Sequence, residues 1–266
     1  MQQSSSNFRP QSEKKKWLLR QLLLLLCVLQ KMDKNMLSHN ALVLTCERSE
    51  DVTAMRLTQM KERLRLVQAP SHGRIEMYLP HPGHDQVLFF DDGPPPASLI
   101  EISADTIDSL HQWSERDEAR RLFDVLNVGQ EWSAGYFSIV RQVVAGEALP
   151  RERVAELSFV VRYYPPVEDA RLFAAHYVAN HPPILARLPR VRNVLCYLPL
   201  DETVPGFKRD EIVIRNEVVF DSLIDLIDSQ KSSLRAELSA DCKAFPPFGY
   251  SLHHAMLREL LSSDLS

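Results

Sequence analysis

Leu157-Ser-Phe-Val-Val-Arg-Tyr-Tyr164 and, beyond Pro165-Pro166, His176-Tyr-Val-Ala-Asn-His-Pro-Pro-Ile-Leu-Ala-Arg-Leu-Pro189 decide how this chain is read. The first run is apolar, β-branched and aromatic, and two prolines end it, so it reads as a strand and its terminator. Glu168 and Asp169 suit the first turn of a helix. Leu172, Phe173, His176, Tyr177 and Asn180 then recur at helical spacing and form one stripe. Pro182-Pro183 removes two amide donors and clashes with the preceding turn, so the helix is expected to break there. His181, the residue before Pro182, is pushed off helical angles. A short second helix restarts over Pro182–Leu188 with proline at its first position, and Pro189 ends it. Val191–Leu200 reads as the next strand. This places His181 at a helix break beside a sheet, where a polar side chain can enter a cavity.

Outward from that stretch, Glu211–Phe220 reads as a strand, Ser222–Leu238 as a helix and Gly249–Met256 as a strand, with the loop Asp201–Asp210 between the middle strands. The order is βαββαβ. The upstream half repeats it: strand Ala41–Cys46, helix Val52–Leu66, strand Gly73–Leu79, strand Ser98–Ile102, helix Asp105–Leu126 and strand Tyr136–Val144. Gln86–Phe90 is a short apolar run before the loop Asp91-Asp-Gly-Pro-Pro-Pro96. Landmarks recur at a nearly constant offset, Gly135-Tyr136 against Gly249-Tyr250 and Leu42 against Ser158, as a diverged duplication requires. The chain divides into an extension 1–38, a first module 39–145, a linker 146–156, a second module 157–258 and a tail 259–266. Each module covers one sheet face with helices and must bury the other, apolar face. Two modules in one chain can bury those faces against each other without a second chain.

The second half also carries a resemblance. Phe173-x-x-His176-Tyr177-x-x-x-His181-x-Pro183, followed by Leu188-Pro189-x-Val191 and a strand with Tyr197, resembles the EthD family, and Val219-Phe220-Asp221-Ser222-Leu223 is similar to that family's strand-to-helix junction. The resemblance covers Leu157–Met256. It implies membership of the dimeric α+β barrel, or ferredoxin-like, superfamily. The expected fold class is therefore α+β, with two tandem ferredoxin-like βαββαβ modules packed sheet-to-sheet as an intrachain α+β barrel, a fused pseudo-dimer. The family is associated with degradation of xenobiotics and loosely classed with oxidoreductases; the superfamily includes polyketide cyclases, muconolactone isomerases and antibiotic-type monooxygenases. The resemblance implies an enclosed apolar cavity with a few polar groups.

Bulk properties narrow the rest. The 266 residues are 45% hydrophobic with a net charge of -4, enough apolar mass for a core and no general pull toward nucleic acid or anionic membrane. Cys27, Cys46, Cys196 and Cys242 are scattered and read as reduced thiols in a cytoplasmic protein. Lys14-Lys-Lys16 precedes the apolar Leu22–Leu29, the outline of a signal peptide. Arg20-Gln21 splits the apolar stretch, no small-residue cleavage site follows, and the run falls short of the ~20 residues that span a bilayer. It reads as an accessory segment without stable membrane insertion, against the alternative of an anchor or export signal.

His181 is the candidate general acid or base, since imidazole titrates near neutrality. The bland reading is a helix-end histidine bonded to backbone. His176 lies five residues earlier and points about 140° away on a helix, which suits packing beside Tyr177 better than chemistry. His253 and His254 sit on one strand and face opposite sides, one toward the barrel interior and one toward helices or an edge. Tyr163 and Tyr250 are polar-tipped aromatics able to line a cavity or to fill the barrel. His81-Pro-Gly-His84 with Asp85 lacks a fuller ligand set, so no metal is expected. No P-loop, GxGxxG or serine-nucleophile motif is present, and no cofactor is expected. Met60-Lys-Glu-Arg-Leu64 stands where the first half would need its H-x-P, so a site is expected in the second half alone, with the first half as lid. Two readings stay open. One is a cofactor-independent enzyme (isomerase, cyclase/dehydratase or oxidoreductase type) acting on a small apolar organic molecule, with His181 moving a proton and Tyr163, His176, Tyr250, His253 and His254 as substrate-binding candidates. The other is a non-catalytic binding or accessory barrel. Nucleic-acid binding, which the same element order serves elsewhere, is excluded by the acidic balance and the need to bury the sheet face.

Overall fold

A computed structural model describes residues 39–47, 53–87, 92–126, 132–142, 144 and 157–264. The amino-terminal extension, Cys27 and the linker 146–156 lie outside the described residues, as does most of the run Gln86–Phe90. The upstream half consists of β1 (His39–Cys46), α1 (Ala54–Arg65), β2 (Arg74–Pro80), β3 (Ser98–Ala104), α2 (Ile107–Ser114), α3 (Asp117–Leu126) and β4 (Trp132–Gln142). The downstream half consists of β5 (Leu157–Tyr164), α4 (Ala170–Leu185), β6 (Asn193–Pro199), the two-residue β7 (Lys208–Arg209), β8 (Ile214–Phe220), α5 (Leu223–Gln230), α6 (Leu234–Ala244) and β9 (Tyr250–Ser263). Four helices start at a side chain that accepts backbone N–H groups the first turn leaves unpaired: Thr53, Thr106, Asp169 and Ser222.

Eight strands close on themselves in the order β1-β3-β2-β9-β5-β8-β6-β4, with β4 returning to β1 and every pair antiparallel; β7 adds a short parallel pairing to β4. The two halves join edge to edge, β2 to β9 and β4 to β6. Closure leaves none of the eight with an unpaired edge. Helices cover the outer face of each half. Each half also reaches across to the other. Leu200, Val204 and Phe207, from the β6–β8 connection, pack into the upstream core, where the Phe207 ring meets Phe123 at 5.4 Å. Val87, after β2, packs into the downstream core, and the His81 N–H bonds the Ala255 carbonyl.

The elements differ from the sequence reading in four places. The helix does not break at Pro182-Pro183: α4 runs unbroken from Ala170 to Leu185, and no separate helix starts at Pro182. Proline angles are themselves helical, and α4 packs on α6 and β6, which offsets the lost amide donors. Asp105–Leu126 forms two helices divided at Glu115–Arg116, and Ser222–Leu238 is divided at Lys231–Ser233, its second helix continuing to Ala244. The last strand extends past Met256 to Ser263, because β2 supplies a partner for it, so most of the supposed tail is sheet.

The barrel interior is only partly the apolar face expected: Val43, Phe137, Ile139, Leu195, Leu99, Val160 and Met256 are buried there, but among charged groups. It holds Glu76, Glu101, Arg162, Arg215, Glu217, His254 and Arg258, all buried. Oε2 of Glu101 accepts from Tyr197 at 2.9 Å and Tyr78 at 3.2 Å, with Arg215 at 3.4 Å. Glu217 accepts from Ser158 at 2.8 Å and from Arg215 at 3.1 Å, and its Oε2 lies 2.8 Å from the same Tyr197 hydroxyl, whose single proton is shared between the two carboxylates. Arg258 donates twice to Glu76, at 2.8 and 2.6 Å. The Arg215 guanidinium lies 4.2 Å from the Tyr197 ring centroid. Charges this buried persist only when each is paired and hydrogen-bonded.

Candidate functional site

Strand parity builds the site. On β5, Phe159, Val161 and Tyr163 point outward toward the downstream helices, while Ser158, Val160 and Arg162 point into the barrel. Val161 pairs with Asn216 of β8 on one side and His253 of β9 on the other, so Asn216, Val161 and His253 form one row across three strands. Above this floor, α4, α5 and α6 enclose a cavity of about 260 Å³. Phe159, Val161, Tyr163, Val218 and Phe220 line its floor; Tyr177, His181, Leu185, Leu226 and Leu238 line its roof. Asn216, Ser229, Gln230, Arg235, Ser239, Cys242 and His253 supply its polar groups.

His181 stands at the roof between two aromatic rings, Tyr177 at 5.1 Å and Phe245 at 5.2 Å. Its Nδ1 is 2.8 Å from Oδ2 of Asp241 on α6, and both side chains are mostly buried. A carboxylate accepts, so Nδ1 carries the hydrogen and Nε2 is the nitrogen left for a ligand. The break between α5 and α6 is what turns α6 back over α4 and brings Asp241 into reach. His253 forms a second histidine–carboxylate pair. Oδ2 of Asp92, from the upstream half, lies 2.7 Å from both the Nδ1 and the backbone N of His253. Burial lowers the His253 pKa, Asp92 opposes that shift and neighbouring His181 adds to it, so the ring is neutral at pH 7. Burial raises the Tyr163 and Tyr177 phenols, which stay protonated.

Three of the sequence candidates meet here: His181, Tyr163 and His253. The other three do not. His176 is half-buried beside Phe245 at 6.1 Å and away from the cavity, as its angular offset on an unbroken helix demands. Tyr250 is 53% exposed and stacks on Tyr164 at 4.7 Å, outside the cavity. His254 faces the barrel interior, where burial, with the Arg162 charge adding to it, lowers its pKa to about 4. The loop at His81–His84 is a tight turn in which the Gly83 N–H donates to the His81 ring at 3.0 Å.

Sequence reasoning missed Asp241, Asn216 and Asp92. Asp241 had a legible signal: with Leu234, Leu238 and Phe245 it completes a 4-3-4 spacing, a carboxylate on an otherwise apolar helical stripe. Asn216 stands among Ile214, Val218 and Phe220 on the face of β8 that floors the cavity, a polar interruption at period two. Asp92 had no local signal, because its partner lies in the other half. Among the described residues, no group of three or more His, Cys, Asp or Glu side chains is placed to hold a metal ion, and no helix is long and apolar enough to cross a membrane.

No protein-family model matches the sequence. No curated protein matches it either. Solved structures do. A candidate monooxygenase from Lactobacillus acidophilus NCFM is 9% identical, with a TM-score of 0.53 over 85% of this chain and 97% of that one. An anthrone oxidase-like protein is 12% identical, with a TM-score of 0.51 over 86% and 96%. A candidate monooxygenase from Fusobacterium nucleatum subsp. nucleatum ATCC 25586 is 8% identical, with a TM-score of 0.52 over 85% and 93%. At these identities the likeness speaks of architecture: the chain has the α+β barrel fold of these proteins.

Proposed function

We propose that the downstream cavity is the active site of an EthD-like α+β barrel enzyme that moves a proton on a small, mostly apolar organic molecule, with His181 as general acid/base. The observation that carries this reading is the His181–Asp241 pair at the wall of an aromatic-lined cavity. Asp241 holds the ring so that Nε2 meets the ligand, and it stabilises the imidazolium formed when Nε2 takes a proton. Returning that proton to another ligand atom gives isomerisation. Delivering it to a departing hydroxyl gives dehydration; attack of the carbanion on a carbonyl of the same ligand, with the proton passed to the alkoxide that forms, gives cyclisation. The oxidoreductase branch, suggested by the monooxygenase and anthrone oxidase-like names of the structural neighbours, shares the same first deprotonation and takes dioxygen from solution as its oxidant. Tyr163 and His253 orient the ligand from the floor.

The same proposal includes a fused pseudo-dimer of two ferredoxin-like modules, 39–145 and 157–258, in a cytoplasmic setting. Support for the modules comes from the strand orders β4-β1-β3-β2 and β9-β5-β8-β6, which are the same order in each half. The test is a thermal-shift screen of wild type and His181→Ala against aromatic polyketides, lactones and phenolic acids, followed by turnover assays on each stabilising compound. A compound that binds both proteins and is turned over about 10²–10⁴-fold faster by wild type supports the enzyme. Binding with no turnover by either protein overturns it in favour of a binding barrel.

A further inference from the structure

The cavity floor includes a polar residue that the proton-transfer reading leaves unused. Asn216 is 1% exposed and sits on the floor between two strands. Its Nδ2 donates to the Leu195 carbonyl at 3.2 Å, with the Cys196 sulfur at 3.7 Å. That bond fixes which way the amide points, so Oδ1 is committed as an acceptor, and Oδ1 is buried with no hydrogen-bond partner. A buried acceptor left unpaired is destabilising, and a ligand donor that pairs it removes that cost.

The row geometry sets the ligand's dimensions. Asn216 and His253 lie one strand either side of Val161, so their backbones are two strand spacings apart, roughly 9–10 Å. Between them the floor is apolar, with Val161, Phe159 and Val218. A flat ring system covers that span, with a hydrogen-bond donor at the Asn216 end.

We infer that Asn216 is the specificity-determining residue of the cavity, and that its ligand is a planar ring compound bearing a hydroxyl that donates to Asn216 Oδ1. This inference rests on the cavity being the ligand site, but not on any chemistry at His181. A site built around such a donor discriminates strongly against the analogue that lacks it, because the acceptor is then buried unpaired. The discrimination runs against hydrophobicity, since a methyl in place of the hydroxyl gains transfer free energy.

The test is the affinity of the full chain for 2-naphthol and for 2-methylnaphthalene, which match in shape and differ in the donor, measured by titration calorimetry or ligand-observed NMR. Wild type is expected to prefer 2-naphthol by tenfold or more, and Asn216→Leu, near-isosteric and unable to accept, to lose that preference. Asn216→Ser, which retains an oxygen but sets it back from the ring, serves if the leucine variant does not fold, and is expected to keep less than a third of the preference. His176→Ala, on α4 but away from the cavity, is expected to retain the full preference. Equal affinity of wild type for both compounds, no binding of either at millimolar concentration, or a preference that survives in the folded Asn216 variant would each overturn the inference. An Asn216-dependent preference in a protein that shows no turnover leaves Asn216 assigned and removes only the catalysis.

Discussion

Asp241 fixes one tautomer of His181, and its effect is separable from the histidine itself. In Asp241→Asn the amide can donate to Nδ1 and turn the basic nitrogen away from the ligand, the same failure that a triad suffers when its carboxylate is lost. Turnover is expected to fall about 10²-fold or more while ligand affinity stays within about threefold; equal losses in both would point to a collapsed cavity instead. His254 makes a second prediction at this scale, for stability. Its folded pKa of about 4 lies below the ~6.5 of an unfolded histidine, so the unfolded chain binds the extra proton between those values. The His254 contribution is therefore present above pH 6.5 and lost as pH falls toward 4. Allowing for partial solvent access, the loss is about 2 kcal/mol. Urea unfolding across that window should show a steeper acid decline in wild type than in His254→Gln. The sequence could state that His253 and His254 face opposite ways but not which way each faces, because both faces of β9 are buried there and hydropathy offers no contrast. Register against β5, where His253 meets Val161, decides it.

Helix breaks and turns, more than helix and strand identities, were what the sequence left illegible. Pro182-Pro183 is a strong local signal for interruption, yet tertiary packing of α4 on α6 and β6 overrode it. Lys231-Ser-Ser233 is a weak signal, yet the chain turns there, and that turn is what carries Asp241 to His181. The connection from α6 into β9 has its own requirement. A Cβ on Gly249 would meet the Pro165 carbonyl oxygen at 2.1 Å, and the Gly249 N–H bonds the Tyr164 carbonyl at 3.1 Å. Gly249→Ala must move one of these segments, so a loss of about 1–3 kcal/mol is expected in thermal or chemical unfolding. A neutral result would show that the two segments are not in contact.

The whole molecule is organised around a barrel whose inner face carries buried charges among apolar side chains. Read along a strand, Glu76, Glu101, Arg162, Arg215 and Glu217 alternate with apolar residues and look like a solvent-facing side; closure of the eight strands is what turns that side inward. Burial of an ion pair is weak evidence for stability, but breaking one is costly because the partner is left charged and dry. Arg215→Met leaves Glu101 and Glu217 without their shared guanidinium, and about 3–5 kcal/mol should be lost in urea unfolding. Arg190→Ala, which removes an exposed pair with Asp225, should cost under ~1 kcal/mol and serves as the control. A similar small effect for both would mean that the barrel interior is wet.

Proton transfer by His181 on a ligand held in the downstream cavity can be observed directly. The measurement is exchange of the acidic ring C–H of 6-hydroxy-2-tetralone, a bicyclic ketone that carries a hydroxyl donor for Asn216, into deuterated buffer at neutral pD, followed by proton NMR. The wild-type protein is expected to accelerate exchange above the buffer rate. His181→Ala is expected to lower the protein-dependent rate by about 10²–10⁴-fold. Exchange at the buffer rate with wild type, or at equal rates with the two proteins, would contradict proton transfer by His181.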